Sequence, residues 1–219
     1  MKATCNASTR GIGRRRKILR DATLYRMNDL FINLYAIRLG HFKTNQIDPS
    51  GEQRITGFQM NGELVSMDPI STDHHHCEAV ALEDSEVCEI PFARLKELFS
   101  HIPTLLHHFH RMMSQEITRE QSVMLLIGNM RADQRFSAFP VNLGSRYAAR
   151  GYSSTCFQLR MLHMPREDIA NYFGLAIESS SRLLNKFKKQ GLLKEHNRET
   201  ELLDPELLNA LAAGTEVCH

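Results

Sequence analysis

PREDIANYFGLAIESSSRLLNKFKKQ, residues 165–190, decides the reading of this chain. It reads as two helices joined by a tight corner. Ala170 lies four residues before Gly174, and Ile169 and Leu175 flank that pair. A helix-turn-helix asks for a small residue where the helices cross and a glycine where the backbone takes φ > 0. Pro165 suits the first turn of the opening helix, and Glu167 and Asp168 suit its positive end. The second helix is expected near Ala176 to Lys189, with two faces. Ile177, Ser180, Leu184 and Phe187 fall on the inward one, and Glu178, Ser181, Arg182 and Asn185 on the outward one.

The outward set carries an acceptor, a hydroxyl and a fork-shaped donor. Arginine takes guanine O6 and N7 together, glutamate accepts from cytosine N4, and serine is permissive. Glu178, Ser181 and Arg182 are therefore the candidate base readers of double-stranded DNA. Arg182, Lys186, Lys188 and Lys189 have no acid among them until Glu195, which suits phosphate neighbours. The bland alternative is an amphipathic surface helix whose charges are solvated.

The stretch resembles the DNA-binding motif of the Crp–Fnr family of bacterial transcription regulators, specifically its Fnr branch. That branch carries E-x-x-S-R on its recognition helix, matched here by Glu178, Ser181 and Arg182. The resemblance extends through LYAIRLGHFKT (34–44), GEQRITGFQMNGELV (51–65), VCEIPF (87–92) and RYAARGYS (146–153), covering nearly everything after about residue 18. It implies an α+β fold: an N-terminal double-stranded β-helix (a cyclic-nucleotide-binding-like jelly roll), a long dimerisation helix and a C-terminal winged helix-turn-helix. The expected divisions are 1–98, 99–131 and 132–219.

Working upstream, the residues from Phe92 to Arg131 form a long helical pattern, with apolar positions recurring at threes and fours from Leu95 to Leu125. Pro103 is expected to break it, leaving a helix from about Thr104 to Asn129. That helix is long for packing inside one domain, although a single intramolecular core helix is the alternative. The resemblance makes it the dimer helix, pairing with its twin as a coiled coil through Phe109, Met112, Met113, Ile117, Glu120 and Met124. Arg111, Glu116, Arg119 and Glu120 would flank the seam, and Glu120 matches a position where the family sets an acid against its twin.

Residues 24–91 read as short strands punctuated by turns, so an antiparallel β-roll or barrel is the natural class. Tyr35, Ile37 and Leu39 alternate, and Ile55 and Phe58 follow the turn-like DPSGE at 48–52. Asp73, His74, His75, His76 and Cys77 form the most conspicuous polar cluster. Adjacent histidines on a strand face opposite sides, so only a loop could bring two of them together with Cys77 as metal ligands. An exposed loop is the preferred reading, and the resemblance puts it near a surface that touches RNA polymerase.

Two cofactors known in the family are tested by the residues. Cyclic-nucleotide members hold the phosphate with an arginine downstream of a G-E-L turn. Gly62, Glu63 and Leu64 are present, yet residues 66–91 contain neither Arg nor Lys. A buried phosphodiester without a cation is poorly compensated, so no cyclic nucleotide is expected. The Fnr branch senses oxygen through a [4Fe–4S] cluster held by four thiolates. Cys88 matches one of them, but the N-terminal three are missing, Cys5 being the only cysteine before Cys77. No metal or cluster is therefore expected, and the chain reads as a truncated gene product or a regulator that lost its sensor. Cys88 alone reads as a small buried hydrophobe.

The bulk numbers agree with this organisation. The 219 residues suffice for two cores, and 42% hydrophobic with 24% charged residues is ordinary for a globular protein. A net charge of +2 is too small to argue for nucleic acid, so local patches must do so. No membrane-length apolar run or secretory signal is evident, and the five scattered cysteines read as free thiols, which together suggest the cytoplasm. The basic run from Arg10 to Arg20 is expected to be a frayed, solvated arm, with a nonspecific phosphate-binding arm as the alternative.

Towards the C-terminus a hinge is expected at 130–133, a helix at 132–149 and a short strand at 157–161. Residues 192–204 suit a two-stranded wing whose tip, with Arg198, would touch phosphate beside Lys186, Lys188 and Lys189. Two features depart from the family: the loop LHM (162–164) is longer, and Ser180 stands where an aliphatic residue is usual. The chain lacks G-x-S-x-G, a P-loop, a dinucleotide fingerprint and H-E-x-x-H, so an enzyme is not expected. The reading is a homodimeric DNA-binding transcriptional regulator linked to oxygen or redox control. The competing one is a small-molecule-binding β-barrel without DNA-binding activity.

Overall fold

The computed structural model describes residues 13–148, 165–196 and 199–214. The chain divides into two compact units, one ending at Arg119 and the other beginning at Glu120.

The first unit is a sandwich of two four-stranded antiparallel sheets. One orders β1 (Arg14–Ile18), β8 (Ser85–Pro91), β3 (Asn33–Leu39) and β6 (Leu64–Val65). The other orders β2 (Thr23–Tyr25), β7 (Glu78–Ala81), β4 (His41–Ile47) and β5 (Gln53–Met60). Ile18, Tyr25, Tyr35, Ile37, Phe42, Val65, Ala81 and Val87 meet between them, so both sheets bury one face in a shared core. Gly40, at φ +93, turns the chain from one sheet to the other, and a Cβ there would collide with Ser85 Oγ.

Two expectations for this unit are corrected. Residues 14–18 are not a frayed arm but β1, paired with β8 along its whole length. Cross-strand carboxylates explain the difference: Glu89 accepts from Arg16 at 3.2 Å and lies 3.7 Å from Arg14, while Glu86 lies 4.0 Å from Arg15. A strand edge lined with arginine also discourages pairing with another sheet. Leu39 does not follow Tyr35 and Ile37 into the core. The pairing of β3 with β8 shifts register between Ile37 and Leu39, which leaves Leu39 63% exposed.

Helix α1 (Phe92–His101) follows β8, and Pro103 opens α2 (Pro103–Asn129), one residue before the expected start. A second core, built from Leu34, Leu95 and Phe109, takes in Phe31, Phe99, Leu105 and Met113. Phe109, expected in the dimer seam, is therefore buried within its own chain. Glu116 and Arg119, expected to flank that seam, also turn inward: Arg119 pairs with Glu116 and lies 3.8 Å from Glu63 in the G-E-L turn. The remaining stripe faces out, with Ile117 56% and Met124 71% exposed.

The second unit contains α3 (Ala132–Ala148), α4 (Arg166–Phe173), α5 (Ile177–Lys189), strands β9 (Leu193–His196) and β10 (Glu199–Leu202), and α6 (Pro205–Ala212). Phe136 packs against Phe173 and Phe187 at centroid distances of 5.4 and 5.5 Å, tying α3 to α4 and α5. Leu184, Leu192, Leu193 and Leu208 are also buried there.

Candidate nucleic-acid interface

The two helices of the opening stretch meet at Gly174, whose φ of 61° and ψ of 37° are left-handed. The turn is closed by Gly174 N–H donating to Asn171 O at 3.0 Å and Leu175 N–H to Ala170 O at 2.9 Å. Ala170 is 1% exposed, as a crossing point requires. Arg135 of α3 donates from Nη1 to the Phe173 carbonyl at 3.1 Å, satisfying the end of α4 from outside.

Helix α5 then presents the faces its spacing predicts, with one exception. Ser180, Leu184 and Phe187 are buried, while Ile177, placed inward by periodicity, is 49% exposed in the first turn. Glu178, Arg182, Asn185, Lys186 and Lys189 are exposed, and Ser181 and Lys188 are half-buried. Arg182 Nε donates to Glu178 O at 3.4 Å, which holds the guanidinium along the outer face. Lys186, Lys188 and Lys189 crowd the last turn, where cations complement the helix dipole. Behind them β9 and β10 pair from Leu193–Leu202 to His196–Glu199, forming the wing. Arg198, at its tip, lies outside the described residues, as do the strand at 157–161 and the loop at 162–164.

Ser180 is fully buried, and its Oγ has no hydrogen-bond partner among the described residues. A hydroxyl sealed in this way costs about 1–3 kcal/mol. Ser180→Ala is accordingly expected to raise the stability of the second unit by about 1 kcal/mol in urea denaturation. A loss of stability would show that the hydroxyl is satisfied.

The first unit bears on the two family cofactors through the turn at 62–77 and its cysteines. Glu63 accepts from Met60 N–H at 2.8 Å and faces Arg119, while the Asp68 carboxylate accepts from His76 N–H at 2.8 Å and Cys77 Sγ at 3.6 Å. The one guanidinium described facing this turn, Arg119, is engaged by Glu63 and Glu116, and residues 66–91 add no Arg or Lys, so the residues do not fit a cyclic nucleotide. Nor do the described residues fit a four-thiolate cluster, since they hold two cysteines. Cys88 is 1% exposed, and a Cβ on Gly13 would fall 2.6 Å from its Sγ. Burial, then the charge of Asp68, pushes the Cys77 thiol up to about 12, against the thiolate a metal needs. Cys5, Cys156 and Cys218 lie outside the described residues.

The histidine run is not the uniformly exposed loop expected. His74 and His76 are exposed, but His75 is 2% exposed and stacks on Tyr25 at 3.8 Å between centroids. An isolated Leu-Tyr pair in a short strand gives no sequence signal that Tyr25 forms such a stack. Among the described residues no group of three or more His, Cys, Asp or Glu could hold a metal ion. Burial lowers the His75 pKa, with Asp68 and Asp29 opposing and His76 adding to the shift. The unfolded chain therefore takes up a proton near pH 6.5 that the folded chain refuses until lower pH. Stability should therefore fall as pH drops through about 6.5, the value for an unperturbed imidazole, and His75→Phe, which keeps the stack, should lose less over that interval. Equal losses in parent and variant would contradict this.

Comparison with known proteins places these features. A model of the Crp-like helix-turn-helix domain matches residues 135–211, and one of the cyclic nucleotide-binding domain matches 15–101. The transcriptional regulatory protein btr of Bordetella pertussis is 44% identical over 202 residues, 92% of this chain and 82% of its own. The transcriptional activator protein Anr of Pseudomonas protegens is 42% identical over 204 residues, 93% of this chain and 82% of its own. The fumarate and nitrate reduction regulatory protein of Salmonella typhimurium is 41% identical over 204 residues, 93% of this chain and 80% of its own. In fold the chain is similar to FixK2 from Bradyrhizobium japonicum, with a TM-score of 0.80 at 22% identity, covering 91% of this chain and 97% of that one. Among the described residues no helix is long and apolar enough to cross a membrane. Its sandwich, its helix-turn-helix and these relatives together show that the chain belongs to the Crp–Fnr family of DNA-binding transcriptional regulators, on the Fnr-like branch.

Proposed function

We propose that the protein acts as a homodimer on a palindromic promoter site, with one α5 in the major groove of each half-site. The observation that carries this is the division of α5: Ser180, Leu184 and Phe187 are buried while Glu178, Arg182, Asn185, Lys186 and Lys189 stand in solvent. Glu178, Ser181 and Arg182 read base edges, and Lys186, Lys188, Lys189 and Arg198 hold phosphates. The outer stripe of α2, including half-buried Met113 and exposed Ile117, Glu120 and Met124, pairs with its twin, while Met112, half-buried, lies towards the inner face. Twofold symmetry then spaces the reading helices about one DNA turn apart. Residues 1–98, 99–131 and 132–219 serve as sensory, dimerising and DNA-binding parts.

RNA polymerase is the second protein partner, and the work is cytoplasmic, away from the membrane. The relatives' names, one of them for fumarate and nitrate reduction, favour a link to oxygen or redox control. The turn at 62–77 argues against a cyclic nucleotide, and the two described thiols argue against a cluster built from them. The protein works without a resident cofactor and catalyses no reaction.

Arg182→Ala is expected to cost about 1–3 kcal/mol in binding and to relax preference at one G·C pair. Selection of binding sites from random DNA tests this. An unchanged consensus for the variant would remove Arg182 from the readers.

A further inference from the structure

Helix α2 has two faces, and its outer one contains a residue that dimerisation alone does not explain. Leu105, Phe109, Met112, Glu116 and Arg119 form the buried or half-buried face. Leu106, His110, Met113, Ile117, Glu120 and Met124 recur at alternating spacings of four and three, which is the a/d seam of a coiled coil. Along that seam His110, Ile117, Glu120 and Met124 are exposed, and Leu106 and Met113 are half-buried. An imidazole at an a/d position would meet its own copy across the twofold axis. A polar residue there weakens the pair unless something satisfies it.

His107 lies one turn before His110 and is also exposed. No hydrogen bond or ion pair among the described residues engages either ring. Ligands three residues apart on a helix hold metals in helical bundles, and imidazole suits zinc, copper and nickel. One chain offers only this pair, short of the three ligands a site needs among its described residues. The twofold doubles the pair to four nitrogens, the number that zinc takes up in a closed tetrahedral site.

We propose that His107 and His110 from two copies bind one divalent zinc-like ion that joins the twin α2 helices near their N-terminal ends. This rests on the homodimer reading above. The metal would convert the polar interruption of the seam into a cross-link, so that dimerisation, and with it DNA binding, follows metal supply. Arg111, next to His110, and His108, beside His107, are exposed neighbours whose charge the ion would have to tolerate.

The test is sedimentation equilibrium of the untagged full chain at neutral pH, with EDTA and then with Zn2+. The expected result is a dimer tightened by about tenfold with one zinc per two chains. His110→Leu should keep or strengthen the metal-free dimer while losing the zinc response, and His107→Gln should weaken that response. A double change at His74 and His76, the other exposed histidine group, should leave it intact. Zinc that leaves the dimer unchanged, or a response that survives His110→Leu, overturns the site while the dimer stands. A chain that stays monomeric with and without zinc overturns both.

Discussion

Arg119→Ala is expected to destabilise the first unit by about 3 kcal/mol. The guanidinium stands between Glu116 on its own helix and Glu63 in the G-E-L turn, with side chains only 13% and 10% exposed for Arg119 and Glu63. Removing it takes the guanidinium from Glu63, which water reaches poorly at 10% exposure, and from Glu116, which is 31% exposed. Breaking a buried pair from one side costs far more than the pair contributes, because the remaining charge keeps its desolvation penalty. Glu63 also accepts from Met60 N–H, so the turn itself should loosen. The matching double change, Arg119→Met with Glu63→Leu, should cost less than the single one, since the more buried carboxylate leaves with the guanidinium and only the more exposed Glu116 stays behind. Urea denaturation of the parent and variants measures this. A single-variant loss below about 0.5 kcal/mol, the range of screened surface pairs, would refute the buried clamp.

The second large effect concerns salt. Each copy offers Lys186, Lys188 and Lys189 in the last turn of α5, and a bound dimer would bring both sets to the DNA backbone. Each neutralised phosphate releases condensed counterions, so affinity should fall by about 10³-fold between 50 and 200 mM salt. Lys189→Gln should flatten the slope of log affinity against log salt, lowering it by about 2 for the two copies, without changing the selected sequence. An affinity indifferent to salt would remove the phosphate role of this turn.

How much of this was legible in advance varies with the range of the contact involved. The helix-turn-helix could be read because its determinants are local: Ala170, Gly174 and the buried triad Ser180, Leu184 and Phe187 lie within one short stretch. Ile177 fails that periodicity because it sits in the first turn of α5, where less of the helix is covered. The basic run at 14–17 looked like an arm because its carboxylate partners, Glu86 and Glu89, are some seventy residues away; Arg16 and Glu89 are separated by 73. The Glu63 and Arg119 clamp was equally invisible, since each residue has an obvious local reading. His75 departs from its neighbours just after Asp73, whose φ of 60° turns the chain, and its burial rests on Tyr25, some fifty residues away. The chemistry of the outer face of α5 came from residue types alone. Its setting against the three-phenylalanine core could not.

The central claim is that the outer face of α5 reads a twofold-symmetric DNA sequence. Footprinting of the full chain on genomic fragments at low salt tests it most directly. The account predicts a protected palindrome whose half-site centres lie about 34–36 Å apart, lost or broadened with Arg182→Ala. Absence of any protected sequence at high protein concentration, or protection of a single asymmetric half-site, would contradict it.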